Sequence, residues 1–132
     1  MKPCYINSVA SISAQDTFDS DSFLETIIPL ESKIVHAIQP KYKEFISPIA
    51  SRRMSTGVKM GIATSMIALN EAQLETPDAI ITGTGMGCIE DSEKFLNAII
   101  DNDEQYLTPT SFIQSTHNTV GAQIALILKC KG

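Results

Sequence analysis

One stretch of the sequence limits the fold more than any other. From Met54 to Leu74 apolar side chains recur at helical spacing, with Met54, Val58, Ile62, Met66 and Leu69 on one stripe and Met60, Ala63, Ile67 and Leu74 beside it. An apolar face that wide must be covered, so the pattern predicts a mostly buried helix from roughly Ser55 to Gln73. The turn "ETPD" stops it, because Pro77 keeps Thr76 out of helical geometry. Asp78 then starts the run "AIITG", which reads as a short buried strand. At 132 residues with 43% apolar content the chain is the size of one domain with a single core.

Past the strand, Glu90, Asp91 and Glu93 put negative charge where a helix N-terminus favours it, and Phe95, Leu96, Ile99 and Ile100 share one face. A second helix is expected to about Asp101. The segment "DNDEQYLTPTSFIQST" is polar and contains Pro109, so an exposed loop is expected there. Thr116 or Asn118 can cap a third helix through Leu128, with Lys129 and Lys131 near its negative end and Gly132 suited to a left-handed cap. Val120, Ala122, Ile124, Ala125, Ile127 and Leu128 occupy most of its faces, which predicts burial on nearly all sides. Upstream, "CYINSVASI" from Cys4 to Ile12 reads as a strand. Residues 13–50 read as an irregular insertion: Ala14 to Phe23 is polar, and Pro29, Pro40 and Pro48 cut the rest short, leaving "LESKIVHAIQ" room for two or three helical turns.

The glycines of "GTGMGC" raise the question of a bound phosphate, since glycine-rich turns between strand and helix are where backbone N–H groups approach anions. A dinucleotide fingerprint needs G-x-G-x-x-G and an acid about twenty residues on, at the end of the next strand. Here the third glycine, Gly87, comes one position early and Cys88 stands in its place, while Asp101 and Asp103 close a helix rather than a strand. No Lys-Ser or Lys-Thr follows, so a P-loop is excluded. The simpler expectation is that Gly83, Gly85 and Gly87 supply positive φ and close backbone packing at a strand end.

Among other chemistry-bearing residues, His36 and His117 lack partners at metal-ligand spacing, and His117 beside Asn118 reads as a polar loop residue rather than an acid or base. Cys88 precedes a helix, which favours a thiolate, but Glu90 and Asp91 oppose one; Cys130 lies at a helix C-terminus, which raises a thiol pKa. All three thiols, Cys4 included, read as packing residues. Arg52 and Arg53 precede the positive end of a helix, so they are expected to pair with acids elsewhere or with a partner. No catalytic, cofactor-binding or metal-ligating residue can be assigned, and no cofactor is expected.

Fifteen acids against ten bases give a net charge of −5, no broad footprint for nucleic acid or an anionic membrane. The N-terminus has no sustained apolar run and eighteen apolar residues never occur together, so neither signal peptide nor membrane span is expected. Three cysteines without a C-x-x-C pair suit a reducing compartment, and the cytoplasm is the expected location.

Taken in order, "KYKEFISPIASRRMSTGVKMGIATSMIALNEA", "PDAIITGTGMGCIEDSEKFLNAI" and "LTPTSFIQSTHNTVGAQIALILKCKG" resemble the N-terminal part of a β-ketoacyl-acyl carrier protein synthase. The likeness spans about Lys41 to Gly132. It rests on an Arg-Met pair opening the first long helix, a strand ending in a GTGxG turn, a Pro-Thr-Ser-Phe loop, and an Asn-containing apolar helix closed by Lys-Gly. The resemblance implies an α/β fold, a partial thiolase-like α/β/α layered half-domain. It also implies a role in fatty-acid or polyketide-type biosynthesis, aryl polyenes included. The family reaction is an acyl transfer that joins a cysteine-bound acyl group to malonyl on acyl carrier protein with loss of carbon dioxide. The family's nucleophilic cysteine and its histidines fall beyond "KCKG", so none of Cys4, Cys88 or Cys130 matches them, and this chain alone is expected to be inactive. The wording of the last segment is similar to the chain-length-factor type, which pairs with an active synthase. Expected partners are therefore acyl carrier protein and a homodimer or heterodimer mate; the alternative is a non-enzymatic interaction module.

Overall fold

The computed structural model describes residues 3–18 and 24–131. Its centre is the helix that the apolar stripe predicts, α2, Thr56–Glu71, in which Val58, Ile62 and Ala63 are buried. Ser55 starts it from extended backbone, its hydroxyl accepting from the Val58 amide at 3.4 Å, which satisfies one of the amides left free at a helix start. Before it come a 3-10 turn at Tyr42–Glu44 and the short helix α1, Pro48–Ser51, opened by Pro48 and capped by Ser47. After it come α3, Ile89–Asp101, α4, Pro109–Gln114, and α5, Thr119–Leu128.

The helix α5 packs against α2 at Gly61, and its own Gly121 lets the segment at Thr82 approach it. A Cβ on Gly61 of α2 would lie 2.9 Å from Val120 Cγ1, and one on Gly121 of α5 would lie 3.0 Å from Thr82 Oγ1. Neither site has room for a side chain without a shift of its neighbour. Around this contact Ile46, Val58, Ile62, Cys88 and Ile124 form the core, with Phe45, Met54, Met66, Ile80 and Leu128 packed on its rim. Phe18 meets Phe45 edge to face at 5.7 Å between centroids, extending the rim toward the first segment.

Several expectations are corrected. Residues 4–12 and 78–83 do not form strands, and no strand occurs among the described residues, so the sheet of an α/β fold is not present. Neither segment has regular secondary structure, and no backbone N–H or C=O of residues 3–10 or 78–86 has a hydrogen-bond partner. The first segment is held by a side chain instead, Ser8 Oγ donating to the Ala68 carbonyl at 2.5 Å. No helix forms in residues 30–39; the prolines on either side leave too few residues to repay nucleation. The expected loop before α5 contains α4, because Pro109 supplies the pre-set φ of a first helical position, a role that reading it as a breaker overlooks.

The third expected helix, α5, is half covered. Only Thr119 and Ile124 are buried, and Leu126 is 72% exposed, because one helix and one segment without regular structure cannot surround it. Asn118 occupies its N-cap position without a capping bond, while Thr116 and Thr119 join through their hydroxyls at 2.8 Å. Lys129, at φ 54°, takes the left-handed position after α5; Gly132, expected there, lies outside the described residues, as do residues 19–23 of the expected polar loop.

Candidate functional site

Three of the concave regions among the described residues lie beside the helix pair. The first, about 400 Å³, lies where the N-termini of α2 and α3 converge on the glycine turn, between Ser55 and Gly57 on one side and Gly83, Thr84, Gly87 and Cys88 on the other. Thr84 shapes the turn by accepting the Gly87 amide on its hydroxyl at 2.9 Å. Of the three glycines, Gly87 alone has positive φ, at 60°, and Gly83 and Gly85 meet open space. The close backbone packing expected of this turn is found at Gly61 and Gly121 instead.

Cys88 ends the turn inside the core, its sulfur 3.4 Å from the Ser55 hydroxyl. The Cys88 and Ser55 side chains share the spot where two helix dipoles would favour an anion, and Glu90 and Asp91 line the same cleft. An incoming phosphate would meet carboxylates and no lysine or arginine there. The arrangement fits no phosphate cradle.

Adjacent to it, a cleft of about 340 Å³ gathers Arg52, Arg53 and Lys94 with Glu90 and Asp91. Arg52 and Arg53 line this cleft with Glu90 and Asp91, but the expected pairing with acids is not made: neither arginine forms an ion pair among the described residues, and both remain exposed. Gln114 of α4 lines this cleft too; its Nε2 donates to the Arg53 carbonyl at 2.8 Å and holds α4 on the turn that leads into α2. Its buried Oε1 has no partner. Ser92 of α3 donates to the Ser115 carbonyl at 3.1 Å, and Phe95 lies against Phe112 at 5.7 Å, so α3 and α4 form a second helix pair.

The third region, about 360 Å³, is an apolar groove between the segments 6–8 and 77–81, lined by Ile6 and Ser8, by Ile80 and Ile81, and by Ala68, Ile124 and Leu128. Cys130 closes one end by donating its thiol to the Pro77 carbonyl at 3.2 Å.

The remaining residues singled out in the sequence stand apart. His36 and His117 are exposed and line none of these three regions. Cys4 is exposed rather than packed, whereas Cys88 is in the core and Cys130 half-buried. No cluster of three or more His, Cys, Asp or Glu that could hold a metal occurs among the described residues. None of their helices is long and apolar enough to cross a membrane. One phenol is perturbed: burial raises Tyr42, whose hydroxyl donates to Gln39 and whose ring lies 5.6 Å from the Lys59 ammonium.

The residues that organise this region were not all singled out by sequence. Ser55 was read as a helix start, but its contact with Cys88, 33 residues away, has no local signal, and neither does the anchoring of Arg53 by Gln114. A glycine in a helix interior is costly enough to suggest close packing, and Gly61 and Gly121 carry that signal. Comparison with protein-family models, with curated proteins and with solved structures found no match to this chain.

Proposed function

We propose that this chain is the N-terminal part of a β-ketoacyl-acyl carrier protein synthase-like protein and contributes scaffold and partner surface rather than the reacting thiol. The reading rests on the order of motifs between Lys41 and Gly132. The observation that supports it is the way those motifs meet: the Ser55-capped helix and the Asn118-started helix pack at Gly61, and Gly121 meets the apolar segment at Thr82. That is the arrangement a layered α/β/α half-domain needs on its helical side.

In the family reaction a thiolate attacks an acyl thioester and releases the carrier thiol. Decarboxylation of malonyl then supplies the carbanion that takes the acyl group from the cysteine. The first step needs an accessible thiol near positive charge. Cys88 is buried against Ser55 with Glu90 and Asp91 beside its cleft, Cys130 donates to Pro77, and Cys4 lies in a segment without hydrogen-bonded partners in its backbone. None offers the required nucleophile, so condensation is assigned to residues of a larger synthase or of a partner.

Incubating the 132-residue chain with radiolabelled acyl-acyl carrier protein tests this. No label should be retained after denaturation. Stable label on any of the three cysteines would overturn the scaffold role. The chain-length-factor-like subunit is the second reading, favoured by the large apolar side chains left exposed, Ile81 and Ile100 among them. It requires co-purification with an active synthase without acyl transfer to this chain.

A further inference from the structure

We infer that α3 and α4 form a flap that opens as a unit away from α2 and α5 and is held shut by two latches, the Cys88 thiol and the Gln114 amide. The composition of the core is the first observation. Ile46, Val58, Ile62, Cys88 and Ile124 make it, and among the described residues no side chain of α3 or α4 belongs to it or to the apolar rim packed around it. The two helices pack on each other instead, through Phe95 and Phe112 and through the Ser92 bond to Ser115. Leu96 and Ile100 of α3 stay 58% and 73% exposed. A helix pair with so little apolar surface buried against the rest of the molecule belongs to the low end of the local-stability range.

Both latches land on one turn. Cys88 is the N-cap residue of α3 and Gln114 the last residue of α4. Gln114 Nε2 donates to the Arg53 carbonyl at 2.8 Å and the Cys88 sulfur lies 3.4 Å from the Ser55 hydroxyl, so residues 53–55 receive the flap at both its ends. Neither latch is strong. Sulfur makes weak hydrogen bonds, and Gln114 closes its latch at the cost of burying an Oε1 that has no partner. Opening lets water reach that oxygen and returns part of the cost.

The connections allow the movement. Gly83, Gly85 and Gly87 lead into Cys88, and a Cβ at any of them would meet nothing within 4 Å, so the glycines themselves pack on nothing. The return to α5 is a turn of residues 115–118, closed by Thr119 on the Ile113 carbonyl, and serves as the pivot. Opening uncovers Cys88, the one buried thiol, and widens the cleft between Arg52, Arg53 and Lys94. The device follows from the helix packing and holds whichever family the chain belongs to.

Native-state hydrogen exchange of the unaltered 132-residue chain should show the amides of α3 and α4 exchanging together, at least about tenfold faster than those of α2 and with little dependence on low urea. Alkylation by iodoacetamide, located by mass spectrometry, follows the same opening at Cys88, whose thiolate displaces iodide and leaves a thioether. Gln114→Ala should speed it about five- to tenfold. Met66→Ala, which thins the rim of the core, should lower the urea midpoint and leave the Cys88 rate within about twofold. Protection of α3 and α4 equal to that of α2, a Cys88 rate indifferent to Gln114→Ala, or one that rises with Met66→Ala in step with the lost stability would overturn the inference.

Discussion

Helices α2 and α3 are of similar length, yet they end in opposite situations. The first has apolar residues on most of its circumference and buries Val58, Ile62 and Ala63. The second separates its apolar and charged faces more cleanly and buries no residue, with Ile100 73% exposed. Amphipathic patterning therefore states that a face needs cover; it does not state that the same chain provides it. What distinguishes α2 is a glycine at the contact, a cap, and a partner helix whose Val120 and Ile124 lie against that glycine.

The contrast is broken most directly by truncation. Ile62→Ala should cost about 2–5 kcal/mol in urea unfolding, the range for emptying a closed core site. Ile100→Ala on α3 should stay within about 0.5 kcal/mol. A large loss at Ile100 would mean that α3 is covered in solution after all. Next, Gly61→Leu should destabilise by about 1–3 kcal/mol through overpacking against Val120, and Val120→Ala should recover part of it in the double variant. Equal loss with and without Val120→Ala would show that the two helices do not meet there.

Capping offers a finer comparison between helix starts. Ser55→Ala should cost about 1 kcal/mol, as the Val58 amide loses its acceptor. Thr108→Ala at the start of α4, where the side chain makes no capping bond, should cost less than about half of that by thermal unfolding. The smallest effect is alkaline. Burial raises the Tyr42 phenol above 10.0, so the folded state holds that proton longer than the unfolded state does. Its contribution is full below pH 10.0 and is lost as pH rises through the raised value. Tyr42→Phe should flatten that decline relative to the unaltered protein in alkaline thermal melts.

The helical part of the fold was legible because its signals are local. The stripe from Met54 to Leu69, the acids at Glu90 and Asp91, and the apolar run from Val120 to Leu128 each lie within a few turns of the helix that they specify. The segments 4–12 and 78–83 were legible as apolar and β-branched but not as unpaired, since a strand exists only when a second segment supplies the other half of its hydrogen bonds. Pro109 was misread because the same fixed φ ends one helix and begins another. Of the clefts, the glycine turn and the Arg52–Arg53 pair could be found by inspection. The thiol–hydroxyl contact and the Gln114 anchor depend on residues brought together from distant parts of the chain.

That distance sets an order of events during synthesis. The bonds from Ser8 to Ala68, Gln114 to Arg53 and Cys130 to Pro77 span 60, 61 and 53 residues. At ribosomal rates of about 5–20 residues per second, such spans take roughly 3–12 s to emerge. From the emergence of Glu71 until Thr119 follows, α2 is a complete apolar helix with no α5 to meet. The nascent chain therefore offers a chaperone a long apolar helix early, and the face of Gly61 remains unmatched until Val120 and Ile124 emerge.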